Sequence, residues 1–288
     1  RYRCIVSGAC TPAVTSNAAL LNVTAPVVIN TQPSDAALCN TGDIVFAVNA
    51  SGTGNNFTWQ RSTDGGASFS NITNAPNATS YNVNVPGTNF NNYRYRVIVS
   101  NNVCPAVTSN AALLTVNPLP VVTLSTAPYT KLFPGLQTTV TATVVPAGGT
   151  IAWQRNGVVI PNTTNTVSVS VDNLGAFKAT VTGVGGCVGE SVVLNILDSA
   201  TSKIFFYPNP NQGQFQVRYN NPQGTGTQNY IRVFDARGTK VYEQLYSVSA
   251  PYTQMLVDLR ARGSGIYLVE LSDKSGKRLA TGKVYIKW

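Results

Sequence analysis

Hydrophobic and polar residues alternate with a period of two through much of this chain. Ile44, Phe46 and Val48 fall on one side of one run. Tyr93, Tyr95, Val97 and Val99 fall on one side of another, with Arg94 and Arg96 on its other side. Successive strand side chains point to opposite faces, so each run predicts a strand with one row in a core and the other toward water. The pattern returns near the C-terminus in Phe215, Val217 and Tyr219, in Ile231 and Val233, and in Met255, Val257 and Leu259. Asp64-Gly65, Asn156-Gly157, Asp235-Ala236-Arg237-Gly238 and Ser275-Gly276-Lys277 separate such runs and accept the positive φ that tight turns need. The prediction is an all-β protein.

An internal repeat divides the chain. Tyr2-Arg3-Cys4-Ile5-Val6-Ser7 returns as Tyr95-Arg96-Val97-Ile98-Val99-Ser100, 93 positions later. Pro12-Ala13-Val14-Thr15-Ser16-Asn17-Ala18-Ala19-Leu20-Leu21 returns at the same distance as Pro105-Ala106-Val107-Thr108-Ser109-Asn110-Ala111-Ala112-Leu113-Leu114. A gapless period of that length is one sandwich-sized unit per copy. Trp59-Gln60-Arg61 returns as Trp153-Gln154-Arg155, 94 positions on, and marks a more divergent copy. The expected organisation is the last strands of a truncated module in residues 1–24, complete modules in 25–118 and 119–198, and a smaller C-terminal β-sandwich in 199–288. Ala25-Pro26 and Pro118-Leu119-Pro120 make stiff junctions, because proline fixes φ and restrains its predecessor, and the array is expected to be an extended rod.

Composition narrows the chemistry. Hydrophobic residues make up 43% of the chain and charged residues only 11%, which leaves ample apolar surface to bury. No run of about 18 apolar residues is present to cross a membrane as a helix. The chain opens at Arg1 without Met or a charged-then-apolar leader, and it is expected to be part of a longer one. The five cysteines, Cys4, Cys10, Cys39, Cys104 and Cys187, include no C-x-x-C pair, and there is no histidine. That argues against zinc and removes the commonest base for a serine or cysteine nucleophile. Isolated cysteines in an all-β chain fit an oxidising compartment.

Asp43 and Asp64 are candidates for a calcium site but read more simply as turn residues. Gly263-Ser264-Gly265 lacks the helix that follows a nucleophile elbow. Trp59 and Trp153, repeated at equivalent positions, read as core and not as platforms for sugars. No enzyme activity and no cofactor are expected. The net charge of +9 is uneven: residues 1–198 hold eight Lys/Arg and six Asp/Glu, for +2, and residues 199–288 hold twelve and five, for +7. A basic terminal domain suits an acidic protein groove or an anionic glycolipid, or simply keeps an apolar sandwich in solution. No nucleic-acid motif accompanies it.

A central Trp followed 36 residues later by Tyr95, two positions before the place of Cys4 in the first copy, resembles the immunoglobulin fold over roughly residues 1–197. Val97 stands at the Cys4 position, so the cysteine pair that bridges antibody sheets is lacking. The modules look like the repeated immunoglobulin-like units of bacterial surface proteins. The terminal segment closely resembles the type A C-terminal sorting domain of the type IX secretion system of Bacteroidetes. The resemblance rests on Tyr207-Pro208-Asn209-Pro210, Gly213, Gly238, Gly265 and Tyr267, Gly276, and the ending Lys283, Val284, Ile286 and Lys287. It implies passage through an outer-membrane translocon, capture by a barrel-type shuttle and removal of the domain by a cell-surface sortase. In that family the mature protein is often attached to lipopolysaccharide, and its place is the cell surface or the extracellular space. Asp198-Ser199-Ala200 resembles a short O-glycosylation motif of secreted proteins from these bacteria, which makes Ser199 a candidate acceptor.

In the immunoglobulin topology Cys39 lies at the lower end of its module, and Cys104 and Cys187 lie in upper loops of theirs. The resemblance implies a bridge from Cys39 to Cys187, with Cys104 and Cys10 left for partners in or near preceding modules. The final strand is expected to face Lys283, Tyr285 and Lys287 outward and to offer unpaired backbone to a partner by strand addition. The leading functional expectation is a non-enzymatic adhesin or stalk addressed for type IX secretion. The alternatives are the spacer and sorting region of a secreted hydrolase whose catalytic domain lies upstream, and a carbohydrate-binding array.

Overall fold

The structure is a computed structural model that describes residues 1–101, 103–221 and 226–288, and its regular elements are β-strands and two short 3-10 turns. It forms two compact units: Arg1–Leu119 with Val184–Cys187, and Pro120–Gly183 with Val188–Trp288.

In the first unit, the strands Ile5–Val6 and Val14–Thr15 pair as an exposed hairpin with no core of their own. The sandwich that follows has one sheet in the order Ala36–Cys39, Ala112–Asn117, Arg94–Ser100, Asn56–Ser62, Ser70–Asn71, with Val107–Thr108 also on Arg94–Ser100. Gly42–Ala47 pairs with Ser80–Val85, and Val28–Thr31 with Asn49–Ser51. Phe46, Trp59, Tyr95, Val97 and Leu114 fill the core. The alternation read from the sequence is what puts them there: along Arg94–Ser100, Tyr95, Val97 and Val99 are buried while Arg94 and Arg96 are half-buried. Trp59 is 1% exposed and donates its indole N–H to the Ala78 carbonyl at 3.0 Å, so its one polar atom is satisfied inside.

The repeat carries its hydrogen bonds with it. Ile5 opposes Thr15 and Val6 opposes Val14, and 93 residues on Ile98 opposes Thr108 and Val99 opposes Val107. In each copy a serine hooks the facing strand: the Cys4 amide donates to Ser16 Oγ, the Val97 amide to Ser109 Oγ, and in the second unit the Ala179 amide to Ser191 Oγ.

Asp64-Gly65 does not make a two-residue hairpin. The Asp64 carboxylate accepts the Ser62 and Ser68 hydroxyls and the Ser68 amide, which closes a longer loop before Ser70–Asn71 and holds the carboxyl well below the usual range. Asp43 accepts from Asn84 instead. Among the described residues no group of three or more acids or cysteines is placed to hold a metal ion.

The second unit has two cores. Val121–Ala127, Thr138–Val145 and Thr166–Val169 form one sheet of a sandwich. The other runs Lys131–Leu132, Leu194–Asp198, Gly175–Thr182, Thr150–Arg155, Val158–Ile160, with Val188–Glu190 also on Gly175–Thr182. Trp153, Phe177 and Leu132 lie at its centre, and the Trp153 indole donates to the Thr164 carbonyl. Asn156 and Gly157, with φ of 52° and 78°, make the tight hairpin expected of them. The terminal sandwich packs Ile204–Tyr207, Gln214–Tyr219 and Met255–Asp258 against Lys240–Ser247, Gln228–Phe234, Gly265–Asp273 and Arg278–Ile286, each sheet in that order. Its core holds Phe215, Val217, Ile231, Val233, Val269, Leu271 and Val284.

Candidate functional site

The segment Tyr207-Pro208-Asn209-Pro210 runs along the outer edge of the last strand. Its prolines have no N–H to give to a ladder, and the asparagine side chain does the work instead. Asn209 Oδ1 accepts the Tyr285 amide at 2.9 Å, and Asn209 Nδ2 donates to the Lys283 carbonyl at 3.2 Å. A carboxamide carries the donor and acceptor of a peptide group, so one side chain completes two rungs. Asn211 continues the seal: its amide donates to the Tyr285 carbonyl and its carbonyl accepts the Lys287 amide, both at 2.9 Å. The edge expected to stand open for strand addition is thus occupied from Lys283 to Lys287. The reason is a contact between residues more than 70 positions apart.

Tyr207 faces the neighbouring sandwich of the same unit. Its hydroxyl donates to the Pro134 carbonyl at 2.9 Å, burial pushes the phenol up, and its ring joins a stack with Phe205 and Phe133. Beside it, the Arg218 side chain, 7% exposed, grips Asp172 with both terminal nitrogens at 2.5 and 3.1 Å and gives its Nε–H to Gln216. Tyr252 is buried and donates to the Ser199 carbonyl, while the Ser199 amide donates to Leu132. The backbone at Ser199 is therefore held on both sides, and the residue is half-buried.

The other sequence-derived residues sort by what they touch. Tyr267, Val284 and Ile286 are core, and the Tyr267 hydroxyl donates to the Gly263 carbonyl. Gly213 sits at φ +84°, and a Cβ there would come within 2.9 Å of Arg260 backbone, so glycine is required. Gly238 and Gly276 take positive φ in turns whose acids, Asp235 and Asp273, accept hydrogen bonds from within the turn. Those bonds, to Thr239 first for Asp235 and to Ser275 first for Asp273, hold both carboxyls below the usual range. A Cβ at Gly265 would meet only the Tyr267 ring, at an ordinary contact distance of 3.8 Å, so the packing does not require glycine. Ser264 Oγ accepts the Trp288 amide, so Gly263-Ser264-Gly265 is a turn that holds the C-terminal residue. Lys283 and Lys287 are exposed.

Cys39 and Cys187 form a disulfide within the first unit, their Cα atoms 5.6 Å apart, and Cys4, Cys10 and Cys104 are thiols. Sequence reasoning missed Asn211, Arg218, Asp172 and Tyr252. A lone arginine inside a strand and a lone aspartate in a turn carry no local mark of each other.

Residues 205–287 match the family model described as a secretion system C-terminal sorting domain, and residues 28–118 match a domain of unknown function. No curated protein matches the chain. Among solved structures, an I-band fragment of titin is similar at 14% identity and a TM-score of 0.44, over 91% of this chain and 98% of that one. The N-terminal four immunoglobulin domains of a Dscam1 isoform are similar at 14% identity and a TM-score of 0.38, over 65% of this chain and 51% of that one. Behind its β-sandwiches the chain carries a C-terminal sorting domain for type IX secretion, and it is a protein destined for the cell surface or the extracellular space.

Proposed function

We propose that this chain is the display portion of a non-enzymatic adhesin or stalk from a Bacteroidetes bacterium, with the terminal sandwich as its address. The observation that supports this is the order of its parts: repeated sandwiches first, then the matched sorting domain at residues 205–287. The core of each sandwich is filled by its own tryptophan or aromatic cluster, so the repeats serve as spacing or binding surface. The partners in this reading are the outer-membrane translocon, a barrel-type shuttle and a cell-surface sortase, with lipopolysaccharide as the attachment after processing.

The test has two arms. Removing residues 279–288 in a host with the type IX system is expected to trap the protein in the periplasm, and normal surface levels of the truncated chain would sink the sorting role. Beads coated with residues 25–197 are expected to bind host cells; binding of those residues to a glycan array would favour the carbohydrate-binding reading, and a hydrolytic activity found in the full-length natural polypeptide would favour the spacer reading.

A further inference from the structure

Where the export machinery grips the terminal domain can be narrowed by what is already engaged. The outer backbone of the last strand is closed by Asn209 and Asn211, as described above. The inner face of the four-stranded sheet is closed as well, with Val233, Val269 and Val284 fully buried. Its outer face is divided. At one end Arg232 sits between Glu243 and Glu270 and also donates to Ser272, while Lys240, which the register places beside Phe234, reaches back to Glu243; these ions satisfy one another. At the other end the register places Phe234 beside Leu268 and Leu268 beside Lys283, and Ile266 beside Tyr285. Here Ile266, Leu268 and Tyr285 are 51%, 43% and 45% exposed, beside a shallow depression lined by Phe234, Ile266, Leu268 and Lys283 and also by Asp235 and Glu270, whose carboxylates are already held by their own turn and by Arg232. Among the described residues, neither Lys283 nor Lys287 has an acidic partner.

We propose that this apolar, lysine-flanked end of the outer sheet face is the docking surface of the sorting domain. Its occupant is a protein of the export machinery that presents an apolar centre with acidic residues around it. The proposal rests on the sorting reading given above and names the surface that reading needs. Charge complementarity selects the occupant: the residues from 199 onward carry twelve Lys/Arg against five Asp/Glu, and among the described residues Lys283 and Lys287 have no acidic partner. Apolar side chains at the centre supply most of the affinity of such an interface, while peripheral charges set approach rate and salt dependence.

The test compares the full chain with variants in a host that has the type IX system, reading the amount at the cell surface. Ile266→Ser with Leu268→Ser is expected to lower surface display by about tenfold, the loss that uncovering one large apolar contact brings, and separately Lys283→Glu with Lys287→Glu is expected to lower it through like-charge repulsion from the acidic rim. Leu256→Ser and Lys274→Glu, which alter exposed residues elsewhere on the domain, are expected to export normally. All four variants should melt cooperatively like the parent, since the replaced side chains lie outside the core. Normal export of both face variants, while removal of residues 279–288 still blocks export, would overturn the docking surface and leave the sorting role standing. Normal export of the truncated chain would instead remove the reading on which the proposal rests. A parent chain that dimerises in sedimentation, or binds vesicles containing lipopolysaccharide, and loses that property on Leu268→Ser would assign the face to a second copy or to lipid and overturn the proposal.

Discussion

Replacing Asn209 by Ala isolates the seal on the last strand, because it removes one side chain and leaves every backbone bond of the ladder in place. Two hydrogen bonds go, from the Tyr285 amide and to the Lys283 carbonyl. A neutral hydrogen bond contributes roughly 0.5–1.5 kcal/mol net, and at an exposed edge water replaces part of it, so the expected loss is about 1 kcal/mol. For a domain of this size that lowers the melting temperature by about 4–8 °C. The sharper readout is hydrogen exchange: a core amide such as Val269 should lose only the roughly fivefold protection that the lost stability brings, while the Tyr285 amide, whose acceptor is gone, should exchange faster by more than that. Asn209→Asp adds a second test, because it keeps an acceptor for Tyr285 but turns an oxygen toward the Lys283 carbonyl. It should cost at least as much as Ala. An unchanged Tyr285 exchange rate in Asn209→Ala would refute the idea that this side chain stands in for a strand.

Asp172→Ala strands the Arg218 guanidinium with only Gln216 and a long contact to Tyr252, and is expected to cost about 1.5–3 kcal/mol in urea unfolding. Arg218→Met added to it should recover part of that loss, and a double variant as unstable as the sum would contradict the pairing. Iodoacetamide applied without reductant should label Cys4, Cys10 and, more slowly, Cys104, but neither Cys39 nor Cys187 until reduction, as read by peptide mass mapping. Stability should fall at both ends of the pH scale. Asp235, Asp258 and Asp273 are held low in the folded state, Asp258 chiefly by Arg260, so their contribution is present above about pH 4 and lost as pH drops below it. Burial pushes the Tyr252 phenol up to about 12, so folding weakens as pH rises from about 10 through 12. Urea midpoints flat from pH 2 to 12 would contradict both.

The strands were legible because burial on one face imposes a period of two, and Tyr95, Val97 and Val99 show it without interruption. The repeat was legible because it is gapless. The turn at Asn156-Gly157 followed from local backbone preference alone, whereas Asp64-Gly65 yielded to serine hydroxyls two residues before and four residues after Asp64 that recruit the carboxylate into a wider loop. Tyr207, Asn209 and Lys283 could be singled out by resemblance, but not what they do. That Asn209 meets Lys283 and Tyr285, and that Tyr207 reaches Pro134, depends on how separate strands come together. The apolar end of the outer sheet face was hidden for the same reason: Phe234, Leu268 and Tyr285 become neighbours only once the register is set.

The serine hooks at Ser16, Ser109 and Ser191 bear on how such a gene changes over time. The two closely matching copies agree in register as well as in sequence, with Ile5 facing Thr15 as Ile98 faces Thr108. An unequal crossover between the stretches that encode them would join the front of one hairpin to the back of another with no slip of the ladder and with the hook still in reach of its amide. A gene rearranged there gains or loses one whole sandwich and still specifies a seam the fold accepts, so the number of copies can drift by recombination alone, without any repair by point mutation.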